Sequence, residues 1–184
     1  SSPILLISAL LIKIEDNGPL FYSQIRNGFE GKTFRILKLR TMIINAEKDG
    51  IQWAKYSDQR ITKVGKILRK LRIDELPQLL LVISGEMSLI GPRPERPKID
   101  NFLRDHLPNY DLRYSIKPGI SGWAQVNYPY GSSLKDSEYK LSYDIYYIKN
   151  FSIFLDFIIF LKTIRLVLNA KGSTPKKQSE SNMH

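Results

Sequence analysis

The chain contains no cysteine, which excludes disulfides, thiolate nucleophiles and cysteine-ligated metals. Histidine is almost as scarce. His106 and His184 are the only two in 184 residues, so a zinc site or a histidine-based triad has little material to draw on. No run reaches the roughly 20 apolar residues a membrane-spanning helix needs, and no internal repeat is visible. Chemistry, if the chain carries any, rests on carboxylates, bases and hydroxyls.

What is abundant is positive charge. A formal net charge of +10 and a pI near 9.7 call for an anionic partner: nucleic acid, acidic lipid headgroups or a phosphorylated substrate. With 42% hydrophobic residues, the length suits one domain with its own core. The chain opens on Ser1 and runs at once into the apolar stretch Pro3 to Ile12. That start raises the expectation of a fragment lacking residues upstream. The stretch is too short to span a bilayer and has no basic leader or cleavage site. On its own it reads as a packing helix or as half of a re-entrant membrane segment.

Leu20 to Arg26 and Lys32 to Leu39 are rich in aromatic and β-branched residues, and Asn27, Gly28 and Gly31 punctuate the gap, which predicts a β-hairpin. The two-residue period places Phe34, Ile36, Lys38 and Arg40 on one face, so the strand is expected to deliver two cations at its far end. From Arg60, the spacing of Ile61, Val64, Ile67, Leu68 and Leu71 predicts a basic amphipathic helix. Asp74 is then placed as the N-cap of a second helix that contains Pro77 in its first turn and continues through Leu79 to Ile83. Gly85 and Gly91-Pro92-Arg93-Pro94 end it. Lys98 to Leu107 is read as a short helix, Trp123 to Val126 as a strand, and Leu134 to Lys149 and Phe151 to Leu168 as helices. Residues 171–184 lack an apolar period and read as a flexible tail.

Asp74 and Glu75 hold the chemical interest. At a helix mouth, adjacent carboxylates can approach one ligand, although on local grounds alone the pair is a helix cap. Its company raises the functional reading: Arg69 lies about one turn upstream, Lys38 and Arg40 close a strand, and Arg93 is bracketed by prolines. Such cations are what transfer from a nucleoside diphosphate sugar requires, because the negative oxygens must be neutralised before a carboxylate can reach phosphorus. Oxygen ligands from Asp74, Glu75 and phosphate suit magnesium. His106 is expected to be structural.

Six runs occur together and in order: Phe21-Tyr22-Ser23-Gln24, Phe34 to Met42, Arg60 to Gly65, Asp74-Glu75-Leu76-Pro77-Gln78-Leu79, Met87 to Pro94, and Lys117-Pro118-Gly119-Ile120-Ser121-Gly122-Trp123. Together they resemble the bacterial sugar transferase family, the monotopic polyprenyl-phosphate phosphoglycosyl transferases. The resemblance implies transfer of a sugar 1-phosphate from a UDP-sugar to polyprenyl (undecaprenyl) phosphate with release of UMP, the first membrane step of exopolysaccharide, capsule or O-antigen synthesis. It further implies Asp74 as nucleophile of a covalent aspartyl-phosphosugar intermediate and Glu75 as Mg2+ ligand and aid to the acceptor. Arg69 and Arg93 are implied as phosphate-binding residues, with Lys38 and Arg40 expected beside them.

The fold it implies is α+β: mainly helical, with a small β-hairpin or sheet, interfacial amphipathic helices and part of a re-entrant membrane helix. Residues 1–18 would be the returning half of that helix, broken at Ser2-Pro3, and residues 19–170 the catalytic domain. The expected location is the cytoplasmic face of a bacterial inner membrane. Trp123 to Tyr128 looks like the larger exopolysaccharide and capsule enzymes, which carry membrane helices before this domain. Arg72 departs from the small hydroxyl residue of many relatives; a phosphate or lipid contact and a solvated charge are both open for it. The sugar and the oligomeric state, monomer or homo-oligomer, are left open. The reading from a different class is a basic nucleic-acid-binding domain, for which a continuous basic stripe with exposed aromatics is expected; the leading reading involves no nucleic acid.

Overall fold

The computed structural model describes residues 2–48, 50, 58–128 and 133–169. The expected tail at 171–184 lies outside the described residues, as does His184. Helix α1 (Ser2–Asp16) leads into an antiparallel hairpin of β1 (Phe21–Asn27) and β2 (Thr33–Leu39), registered so that Tyr22 faces Lys38 and Arg26 faces Phe34. Helix α2 (Lys63–Lys70) follows, then a 3-10 segment (Ile73–Gln78) and α3 (Leu79–Ile83). Strand β3 (Ser88–Ile90), helix α4 (Pro97–His106), a 3-10 segment (Tyr110–Ser115) and β4 (Gly119–Ser121) come next. Helices α5 (Trp123–Asn127), α6 (Leu134–Asn150) and α7 (Ile153–Leu168) complete the described fold, which is α+β and mainly helical.

Two buried clusters organise these elements. Ile12, Leu39 and Leu68, with Leu5, Leu20, Val64 and Ile73 against them, tie α1, the hairpin and α2 together. Leu103, Leu107, Tyr110 and Leu141 join α4, the second 3-10 segment and α6. The first 3-10 segment packs on β2. Helix α2 starts two residues after the expected Ile61 because Thr62 caps it, its hydroxyl accepting from the Gly65 amide. Gly65 is required there: a Cβ would drive into the carbonyl of Thr41, which runs against the helix.

Trp123 to Val126 corrects the sequence reading, since the segment is helical and the strand lies just before it. The parallel pairing of β4 with β3 ends at Ser121, after which Gly122 is extended and the chain coils over buried Ala124. Trp and Val favour strands only weakly, and packing decides the outcome here. Among the described residues no helix is long and apolar enough to cross a membrane. Both terminal helices nevertheless present large apolar side chains outward, among them Leu6, Ile7, Leu10 and Ile14 on α1 and Ile153, Phe154, Phe157 and Leu168 on α7.

Candidate active site

Helix α2 stops at Lys70, and two residues later Arg72 adopts left-handed backbone (φ 57°, ψ 18°), a costly conformation for a non-glycine residue. The turn redirects the chain so that the 3-10 segment carries both Asp74 and Glu75 inward, each 7% exposed. Asp74 is therefore not a helix cap, contrary to the expectation. Arg72 occupies the cap position without a capping side-chain bond, and Asp74 sits inside the 3-10 segment. The sequence pattern of acid, acid and Pro77 fits a cap, but the αL residue uses the turn to bury the acids instead.

Glu75 is heavily partnered. Its Oε1 accepts from Lys38 Nζ at 2.8 Å and from Arg93 Nη2 at 2.5 Å, and Arg72 Nη1 stands 3.5 Å from Oε2. Burial pushes the Glu75 carboxyl up, but Arg93, Lys38 and Arg72 together outweigh it and hold the group well below the usual carboxylate range. Asp74 behaves oppositely. Burial raises it, charged Glu75 raises it further, and Lys38, Arg69 and Arg72 oppose without prevailing. Its Oδ1 is buried with no hydrogen-bond partner among the described residues. The dyad thus divides into a Glu75 whose ionised form its cationic partners favour and an Asp74 with a bare oxygen. Burial, helped by the positive field of Arg93, lowers the Lys38 ammonium to about 8 against the pull of Glu75.

The remaining expected residues separate. Arg69 donates from Nε to Thr41 Oγ1 at 2.8 Å and stays close enough to Asp74 to bias its charge. Arg93 meets Glu75 directly. Arg40 does not join the dyad: Asp16 grips its guanidinium through both oxygens, and Nε donates to the carbonyl of Pro19 at 2.5 Å. Strand β2 ends at Leu39, so the alternation that aims Lys38 at Glu75 does not carry to the next same-face residue. Arg40 instead locks the end of α1 to the hairpin. His106 lies on the outer side of α4, with Nδ1 at 2.7 Å from the carbonyl of Phe102.

Residues outside the expected set also build the site. Arg113 Nη2 donates to the carbonyl of Arg93 at 2.5 Å, while its Nε and Nη1 engage Asp144 at 2.9 Å and Tyr110 at 2.7 Å. The second 3-10 segment and helix α6 thereby hold the proline-bracketed segment from behind. No local pattern in the sequence marks Arg113, because its partners are distant in the chain. Tyr22, Gln24 and Arg26 share the β1 face that looks the same way as Lys38, and hairpin register alone was sufficient to find them. Among the described residues no group of three or more His, Asp or Glu side chains gathers for a metal. The bare Asp74 Oδ1 is an oxygen donor that fits a hard cation completed by phosphate and water oxygens, whereas both Glu75 oxygens already face cationic side chains.

Comparison with known sequences gives the chain its family. The model of the bacterial sugar transferase family matches residues 1–170. The chain belongs to the bacterial sugar transferase family. It is 50% identical over 173 residues to a UDP-N-acetylgalactosamine-undecaprenyl-phosphate N-acetylgalactosaminephosphotransferase of Aeromonas hydrophila, covering 94% of this chain and 41% of the relative. A UDP-glucose:undecaprenyl-phosphate glucose-1-phosphate transferase of Caulobacter vibrioides is 41% identical, covering 94% of this chain and 65% of the relative. An uncharacterized sugar transferase of Bacillus subtilis is 40% identical over 94% of this chain and 81% of its own length. The chain spans less than two thirds of the first two relatives.

Proposed function

We propose that the chain transfers a sugar 1-phosphate from a UDP-sugar to a polyprenyl phosphate through an aspartyl intermediate on Asp74. The observation that carries this reading is the unpartnered, buried Asp74 Oδ1 beside a Glu75 held ionised by Arg93 and Lys38. Because Glu75 stays charged, the dyad does not spend its acidity sharing a proton. Asp74, with a raised pKa, is a stronger nucleophile once ionised than an ordinary surface aspartate.

In the first step Asp74 Oδ1 bonds to the β-phosphorus of the donor. The bond from that phosphorus to the bridging oxygen breaks, and the electron pair leaves on UMP. In the second step a phosphate oxygen of the polyprenyl acceptor attacks the same phosphorus. The bond to Asp74 breaks, the carboxylate is regenerated, and a polyprenyl diphosphate sugar is formed. Arg93 and Lys38, both on Glu75 beside Asp74, are the cations that would stabilise charge gathering on the non-bridging oxygens. Arg69 biases Asp74 toward its ionised form. Magnesium, held by Asp74 and by Glu75 wherever the donor draws Arg93 or Lys38 off it, would neutralise the diphosphate of the donor.

The same reading puts the chain against a membrane. The outward apolar side chains of α1 and α7 suit burial in one leaflet, and basic α2 suits anionic headgroups. The cytoplasmic face, where UDP-sugars are made, is the expected side. UDP-N-acetylgalactosamine is the donor to test first and UDP-glucose second, following the activities named for the relatives at 50% and 41% identity. The test is incubation of the liposome-reconstituted chain with donor, magnesium and short-chain polyprenyl phosphate. UMP release and polyprenyl diphosphate sugar are expected from the wild type, with at least a thousandfold loss in Asp74→Asn, in the range seen when a covalent nucleophile is removed. Full turnover by Asp74→Asn contradicts the reading.

A further inference from the structure

One face of β1 begins a chain of polar contacts that the reaction as described does not use. Arg26 Nη2 donates to Gln24 Oε1 at 2.8 Å, Gln24 Nε2 donates to Tyr22 Oη at 2.8 Å, and Tyr22 donates to Glu47 Oε2 at 3.1 Å. Arg96 Nη2 holds the other Glu47 oxygen at 2.6 Å. Arg26 Nη1 closes the circuit by donating to the carbonyl of Pro94 at 3.0 Å, two residues before Arg96 and next to Arg93. This circuit fixes two guanidiniums beside the proline-bracketed segment, with side chains only 15% and 17% exposed.

Neither guanidinium is satisfied. Arg26 Nε and Arg96 Nη1 are buried donors with no partner among the described residues. Buried guanidinium N–H groups are costly to leave unpaired, and an anion would satisfy them with short, charge-assisted hydrogen bonds. The surrounding carboxylates do not fill the need: Glu47 is shared with Tyr22, and Glu95 Oε2 stands 3.5 Å from Arg26 Nη1, beyond a good hydrogen bond. Arg26 is also pushed below the ordinary arginine value, first by burial and, against the pull of Glu95, by the nearby positive charges of Arg93 and Arg96. An incoming negative charge would offset the repulsion that Arg26 feels from Arg93 and Arg96.

We propose that Arg26 and Arg96 form a second phosphate subsite, next to the Arg93 subsite, that accepts a phosphate group through the buried, unpartnered N–H donors. The inference rests on the transfer reading, since that reaction handles two phosphates besides the one in transit: that of the departing nucleotide and that of the polyprenyl acceptor. Both offer the same chemistry, a terminal phosphate with oxygens able to accept from Nε and Nη1. The subsite keeps a second phosphate aligned while Arg93 attends to the phosphorus under attack.

Calorimetric titration of the chain with UMP, with uridine and with a short-chain polyprenyl phosphate tests this without turnover. Failure of the aspartyl chemistry would therefore show in the transfer assay and not here. Arg26→Gln and Arg96→Gln are each expected to weaken at least one of the two phosphate ligands by about tenfold or more, as loss of a charge-assisted hydrogen bond does. Arg96→Lys should recover part of the loss, and uridine should be unaffected. Loss confined to UMP assigns the subsite to the nucleotide, and loss confined to the polyprenyl ligand assigns it to the acceptor. In the wild type, the Arg26 Nε–H resonance should shift on titration with the same ligand, a readout that does not depend on the variants folding. Unchanged affinity for both phosphates in folded variants, or an Arg26 Nε–H resonance unmoved by either, overturns the proposal.

Discussion

Lys38 and Arg93 converge on one oxygen of Glu75, and the pH response of the site follows from that meeting. Asp74 must lose its proton to attack, so turnover should rise with pH through its burial-raised pKa. Lys38 loses its charge as pH rises through about 8, weakening the cationic clamp on the alkaline side. A bell-shaped profile is the expected outcome. Lys38→Arg, whose guanidinium stays charged, should push the alkaline limb upward by more than one pH unit; an unmoved limb would show that Lys38 does not set it. At this scale the sequence was readable where short-range geometry decides. The dyad, Lys38 and Arg93 come together as strand period and the proline brackets imply. Arg40 does not, because one residue past the end of β2 the period no longer governs where a side chain points. The capping role of Asp74 also failed, since nothing in the local pattern announces that Arg72 takes left-handed backbone.

At the scale of elements, the site depends on two close supports. Gly65 lets α2 lie against Thr41, whose hydroxyl positions Arg69. Gly65→Ala should cost about 1–3 kcal/mol, as overpacking of a tight contact does, and thermal melting measures it. The second support is the Arg113–Asp144 pair behind Arg93. Asp144→Asn leaves a buried guanidinium without its counter-charge and should lower stability by about 3 kcal/mol. If the pair also positions Arg93, the variant's KM for the donor should rise at a temperature well below its melting point; a change in melting alone would mark the pair as merely structural. The hairpin, α2, α4 and α6 were legible from period and punctuation, because each has one face against a core cluster, and α7 from its apolar run, of which Ile159 is fully buried. The segment after β4 was not. Strand propensity in Trp123 and Val126 lost to the coil over Ala124, a contact fixed by the parallel pairing of distant β3 and β4.

For the whole molecule, the two terminal helices carry the membrane question. Wild-type chain should float with liposomes containing anionic lipid, and Phe154→Glu with Phe157→Glu should reduce the bound fraction several-fold while leaving the melting temperature within a few degrees, both side chains being exposed. Equal flotation of the variant would move the membrane contact away from α7. The family assignment rests on residues 1–170, whereas the proposed chemistry rests on one bare oxygen at the centre of that span. The Asp74–Glu75 pair is thus not a cap that happens to be acidic but a buried dyad with its acidities driven apart. The most direct measurement is mass spectrometry of the chain quenched after brief exposure to UDP-sugar and magnesium without acceptor. The account predicts a peptide heavier by one hexose or N-acetylhexosamine phosphate with the modification on Asp74, discharged when polyprenyl phosphate is added. An adduct on any other residue, or one that persists in Asp74→Asn, would contradict it.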